Sequence, residues 1–180
     1  MKKTIITILI LFFSSYGKSF AQSGSVYGNA YDLKNLKPTT CELNSLYLDV
    51  ANQQAEINLR DSGKLQPIIL IARPGIRDKK SGLNTLIERR LHTASAYLID
   101  YLEKQTKESV ITAQAPNKGS EYGVIEIYVS GMLQEVLVQR PNAVVPVGSC
   151  DSSDNAESRE KRALLYPWLY NSVTNKNRQK

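Results

Sequence analysis

The chain has little of what builds a catalytic or metal centre: its 180 residues hold one histidine, one tryptophan, two methionines and two cysteines. Structural zinc usually takes four Cys or His ligands, so Cys41, Cys150 and His92 make no convincing metal site. No serine stands in a Gly-x-Ser-x-Gly setting, no glycine-rich loop is built to cradle phosphate, and no pair of acids falls at a catalytic spacing. The sequence therefore argues against an enzyme and implies no cofactor. Long apolar runs are also scarce, and after Phe13 none approaches the about 20 residues that cross a bilayer.

The one early apolar run, Ile5 to Phe13, follows Lys2 and Lys3 and leads through a polar stretch to Ser19-Phe20-Ala21. That order predicts a cleavable secretory signal over residues 1–21. A membrane anchor is the poorer reading because the run is roughly half the needed length, and no Cys follows it to carry a lipid. Cleavage would leave 159 of the 180 residues, enough for one domain with a sizeable core. It would also remove Lys2, Lys3 and Lys18 and no acid, so that 23 basic against 17 acidic residues become 20 against 17, about +3. Much of the basic character thus belongs to the signal and to the tail Lys176–Lys180, and nucleic acid is not an expected partner. Export to the periplasm or the extracellular space makes a Cys41–Cys150 disulfide the default expectation, with two buried thiols as the alternative.

Residues 22–38 are rich in Gly, Ser, Asn and Tyr and are read as a flexible or edge-packed leader, with Tyr27 and Tyr31 available to pack. Thr39 and Glu42 stand at capping-box spacing. The apolar residues Leu43, Leu46, Tyr47, Val50 and Ile57 then predict a first helix ending near Asn58. Asp61-Ser62-Gly63 turns the chain into Pro67-Ile-Ile-Leu-Ile-Ala72, apolar on both faces as a central strand would be. After the loop Arg73-Pro-Gly-Ile-Arg-Asp-Lys-Lys80, Asn84 is placed to cap a second helix, whose stripe is Ile87, Leu91, Ala94, Leu98 and Tyr101. A short strand is predicted over Ser109–Ala113. A hairpin spans Gly123–Val138, turning at Ser130-Gly131. Asp151–Arg162 reads as a charged spacer, and Leu164–Tyr170 forms the aromatic cluster. The expected fold is α/β of the α+β kind: a single domain over residues 39–150, a mixed sheet of about four strands with two helices on one face, and a tail over residues 151–180.

The helix Leu86-Ile-Glu-Arg-Arg-Leu-His-Thr-Ala-Ser-Ala-Tyr-Leu98 resembles the signature of the OmpA-like C-terminal, peptidoglycan-associating domain, Leu-Ser-x-x-Arg-Ala-x-x-Val-x-x-Tyr-Leu. Arg90, Tyr97 and Leu98 fall on matching positions. Ile69-Leu-Ile71 sits where that family has its first strand, and Val124-Ile-Glu-Ile127 is similar to its last core strand. The resemblance covers roughly Pro67 to Val129. It implies binding of the diaminopimelate stem of peptidoglycan, with an Asp after the first strand and the helix Arg gripping the ligand's charged ends. Arg90 takes the second role. For the first, the nearest acid is Asp78, closer to the helix than the family spacing, and the family's downstream basic pair is replaced by Gly123 and Val124.

The candidate ligand-binding residues are therefore Arg90, Asp78, Arg73 and Arg77. A guanidinium suits a carboxylate because it donates two parallel hydrogen bonds. The loop cations Arg73, Arg77, Lys79 and Lys80, with Arg89 and Arg90, would suit an acidic envelope polymer, although a solvated loop explains them too. The expected function is an exported cell-envelope binding or scaffold module, contacting peptidoglycan or another acidic envelope component. Two alternatives stand beside it. One is a secreted hydrolase using His92 with an acid such as Glu88, a spacing that an ordinary helix pair also explains. The other is a protein-interaction domain using the hairpin or Tyr166, Trp168 and Tyr170, residues that would otherwise fold back over a face or edge of the sheet.

Overall fold

A computed structural model of the chain describes residues 35–148, 150 and 156–169. The chain divides into two units, Met1–Tyr31 and Asp32–Lys180, and all described residues lie in the second. The predicted signal, Tyr27 and Tyr31 of the leader, residues 151–155 of the spacer, Tyr170 and the basic tail lie outside the described residues.

The first helix, α1, runs Cys41–Ser62. It is capped by Thr40 rather than Thr39: the Thr40 hydroxyl accepts the N–H of Leu43, while the Thr39 hydroxyl turns to the sheet and donates to the Val138 carbonyl. The helix passes Asn58 and stops at Gly63, whose φ of 65° supplies the left-handed cap. Its buried side is also largely not the predicted one. Leu48, Ala51 and Ala55 face the core, and of the predicted stripe only Tyr47 packs against it, whereas Leu43, Leu46, Val50 and Ile57 are exposed.

Strand β1, Ile68–Arg73, is central as its apolar run predicts. The sheet order is β2-β1-β3-β4, with β2 (Val110–Gln114) parallel to β1, and β3 (Gly123–Val129) and β4 (Met132–Gln139) joined as an antiparallel hairpin. Positive φ at Ser130 and Gly131 matches the primed turn that suits strand twist. Along β1, Ile68, Leu70 and Ala72 are buried, while Ile69 and Ile71 are only half-buried. The buried set shares one core with Ile125, Ile127 and Leu137 of the hairpin and with Leu48, Ala51 and Ala55 of α1.

Helix α2, Leu83–Ala96, adds Ile87, Leu91 and Ala94 to that core. Gly82, not Asn84, precedes its first turn, with φ of 73°. The helix then widens into a π-helical turn over Tyr97–Tyr101, which keeps Leu98 buried and sends the Tyr97 hydroxyl to donate to Asp49 of α1 at 3.1 Å. Burial raises the Tyr97 hydroxyl's pKa, the neighbouring Asp49 carboxylate adds to the rise, and Tyr97 stays a neutral strut.

A third helix, α3, Ala156–Leu165, begins within the predicted spacer and runs into the start of the predicted aromatic cluster. Its polar sequence hides a single anchor, Leu165, which is fully buried. The residues after it do fold back, against α2 and the 145–147 segment rather than the sheet. The Tyr166 hydroxyl accepts from Val147 N–H at 2.9 Å and donates toward the Val145 carbonyl at 3.1 Å. The Trp168 ring lies 5.9 Å from that of His92 and under the Arg89 guanidinium at 5.3 Å. Cys41 and Cys150 form the expected disulfide, with Cα atoms 5.6 Å apart. Among the described residues no helix is long and apolar enough to cross a membrane.

Candidate functional site

The loop after β1 folds back because Gly75 has no side chain. A Cβ there would collide with the backbone of Tyr122, so only glycine lets the two loops meet. Backbone bonds from Ile76 N–H to the Ser120 carbonyl (3.0 Å) and from Arg77 N–H to the Glu121 carbonyl (3.1 Å) then fix the loop. A Gly75–Asp78 turn closes at 3.1 Å. These local bonds aim the Asp78 carboxylate inward, whatever its distance in sequence from β1.

There it meets Arg90, which α2 presents one turn before its core residue Ala94. Arg90 Nη1 donates to Asp78 Oδ2 at 2.6 Å and Nη2 to Oδ1 at 2.9 Å, a two-pronged pair with both side chains withdrawn from solvent. The carboxylate also accepts the N–H groups of Gly75 and Asn142, each at 2.8 Å. Two further Arg90 donors, Nε and the second Nη2 hydrogen, go to the carbonyls of Ala143 (2.8 Å) and Arg140 (3.2 Å). Burial alone would raise the Asp78 carboxyl's pKa. The hydrogen bonds from Arg90, Asn142 and Gly75, with the Arg90 charge, outweigh it and hold the group below its ordinary value.

Gly123 completes the arrangement. A Cβ at this position would overlap Arg90 Nη1 and stand 3.0 Å from Asp78 Oδ2. Opposite Gly123 in the ladder, and so on the same face of the sheet, is Gln139. It is buried, and neither its amide nitrogen nor its amide oxygen has a hydrogen-bond partner. The 140–143 segment that receives Arg90 also walls a cavity of about 440 Å³, bounded across from Arg140 and Ala143 by Thr39, Thr40 and Glu42.

The other predicted cations do not join this pair. Arg73 belongs to the opposite face of the sheet, where its Nε lies 3.1 Å from the buried Glu126 carboxylate without the alignment of a hydrogen bond. Lys118 Nζ, at 3.0 Å, and the Tyr128 hydroxyl, at 3.2 Å, bind the same carboxylate. Burial and the adjacent Glu126 charge raise the pKa of Tyr128. Arg77 stays on the surface, 3.7 Å from Glu121 and over the Tyr122 ring.

His92 borders a second cavity of about 380 Å³ between α2 and β2, together with Glu88, Ser95 and Thr112. Its Nε2 lies 3.1 Å from the Leu164 carbonyl, which can only accept, so Nε2 carries a proton committed to the α3 end. The Ser95 hydroxyl is likewise engaged, donating to the carbonyl of residue 92 at 3.0 Å. Among the described residues no cluster of three or more His, Cys, Asp or Glu could hold a metal ion.

Sequence reasoning named Arg90 and Asp78 as ligand-binding candidates; the structure brings the two together, and what holds them was not legible. Asn142, Ala143 and Arg140 act through backbone groups, which leave no side-chain signature. Gly123 was visible as a departure from a family pattern and is the residue that gives Arg90 its space. Compared with known proteins, the chain matches no family model, no curated protein and no solved structure.

Proposed function

We propose that the protein is an exported binding or scaffold module of the cell envelope, related in plan to OmpA-like domains, with the Asp78–Arg90 pair as its ligand-recognition element. The observation that carries this reading is the convergence of these two side chains. The resemblance assigns an Asp after the first strand and a helix Arg to the ammonium and carboxylate of a diaminopimelate stem; Arg90 stands at the helix position, and Asp78, the nearest acid although closer to the helix than the family spacing, is the carboxylate that meets it.

Chemically, the pair is its own stand-in for a zwitterion. An ammonium would replace Arg90 at Asp78 while a carboxylate replaced Asp78 at Arg90, so total charge is conserved as the link opens. Two features favour such an exchange. Gln139 keeps an unspent donor and acceptor on the same face, and Arg140 and Ala143, whose carbonyls accept from Arg90, also line the neighbouring cavity. The disulfide and the predicted signal support export.

The test is sedimentation of the secreted chain with purified peptidoglycan, with free diaminopimelate as competitor. Wild-type protein is expected to co-sediment and to be released by the competitor. Arg90→Lys, which keeps the charge but loses the fork, is expected to bind more weakly while its circular dichroism stays native. A folded wild-type protein that stays in the supernatant overturns the wall-binding reading.

A further inference from the structure

Helix α1 is apolar on two sides. At 3.6 residues per turn, Leu43, Leu46, Val50 and Ile57 fall within an arc of about 60°, turned about 140° away from the core residues Leu48, Ala51 and Ala55. Their exposures are 39%, 52%, 39% and 40%. Scattered exposed leucines mean nothing, but four in one stripe along roughly 21 Å of a helix, interrupted between Val50 and Ile57 by the exposed Gln53, form a seam. A second apolar stripe opposite the core face is a surface available for burial against another chain.

We propose that this seam pairs with the same seam of a second copy of the chain, the two α1 helices lying antiparallel about a two-fold axis near Val50. Three features of α1 are self-complementary in that arrangement. With the axis at Val50, Leu43 lies level with the partner's Ile57 and Val50 meets its own equivalent. Glu42, in the first turn, and Arg60, in the last, are separated by five whole turns and so lie on the same flank of the seam. In an antiparallel two-fold pair like flanks face each other, which brings Glu42 within one turn of the partner's Arg60, and the reverse. The exposed contact of Arg60 with Asp61 at 3.2 Å does not hold it back, being an adjacent-residue surface pair. Antiparallel pairing also sets each helix's positive end beside the other's negative end. A parallel pair would have neither the charge match nor the opposed dipoles.

Sedimentation velocity of the secreted chain at micromolar concentration tests the proposal without any ligand, so its outcome is independent of wall binding. The wild type is expected to run as a dimer. Val50→Lys, placed at the axis and therefore present twice in each dimer, is expected to raise the dissociation constant at least about tenfold with unchanged circular dichroism. Glu42→Arg is expected to weaken the dimer, and Glu42→Arg combined with Arg60→Glu to restore it. A monomeric wild type overturns the proposal. So does a dimer indifferent to Val50→Lys, or a double charge swap no tighter than the single one.

Discussion

Gly123 and Arg90 occupy what would be one space: the guanidinium passes where the Cβ of any other residue at position 123 would stand. The absent side chain on β3 is thus what lets a helix arginine reach an acid on a loop. Gly123→Ala must push Arg90 off its fork or bend β3. We expect a loss of about 1–3 kcal/mol in urea denaturation, the usual range for overpacking a filled interior. A change under about 0.5 kcal/mol, the scale of ordinary surface substitutions, would mean that Arg90 has slack and that the pair is not sterically fixed.

Asp78 makes the pair pH-dependent in a definite direction. Its folded pKa is depressed, so the folded state binds that proton less readily than the unfolded chain does. The stability it contributes is present above the unfolded value, near 4, and is lost as pH falls toward the depressed folded value. Asp78→Asn removes this dependence and leaves a buried cation without its counter-charge, a change that costs about 3–5 kcal/mol for similar pairs. Denaturation curves from pH 2 to 7 should show the gap between wild type and variant narrowing below pH 4. A gap that stays constant through that range would exclude Asp78 as the titrating group.

Much of this was legible in the sequence, for reasons that particular residues show. The period-two hairpin with its Ser130-Gly131 turn and the apolar run of β1 formed where patterning placed them, because backbone pairing and burial agree there. In α1 periodicity chose the wrong side, since Leu43, Leu46, Val50 and Ile57 outweigh the small Ala51 and Ala55 that are buried in the core. Helix α3 was missed because Ala-Glu-Ser-Arg-Glu-Lys-Arg carries no apolar stripe and its anchor is Leu165 alone. The Asp78–Arg90 contact was only half legible: the residue types were clear, but the turn that joins them is made by backbone bonds to Ser120 and Glu121.

The Cys41–Cys150 bridge ties the start of α1 to the segment beyond β4 across 109 residues of sequence. Ser45, one turn into α1, adds local support by accepting the Gly148 N–H at 3.0 Å. A cross-link closing a loop of that length stabilises by up to about 4.7 kcal/mol through the unfolded chain. Cys41→Ser with Cys150→Ser is therefore expected to lower stability by about 2–4 kcal/mol, and reductant should reproduce the loss in the wild type but not in the double variant. Equal stability of the wild type with its bridge formed and fully reduced would show that the bridge contributes no net stability.

Two residues bear on how the C-terminal segment is held, and they make separable contributions. Leu165 is fully buried, and its carbonyl accepts the Thr93 hydroxyl at 3.0 Å, so α3 is both packed and hydrogen-bonded onto α2. Trp168 is half-buried against His92, Tyr166 and Arg89, contacts of the edge-to-face and cation–π kinds worth about 0.5–1.5 kcal/mol each. Leu165→Ala should cost about 2–5 kcal/mol by opening a cavity, and the emission of the single tryptophan should shift red if the segment detaches. Trp168→Ala, followed by circular dichroism, should cost less than Leu165→Ala because its rings keep a solvent-facing side. If the order is reversed, the aromatic cluster rather than the leucine anchors α3. The exposed part of Trp168 would then be needed for stability and would be a poorer candidate for contact with a partner.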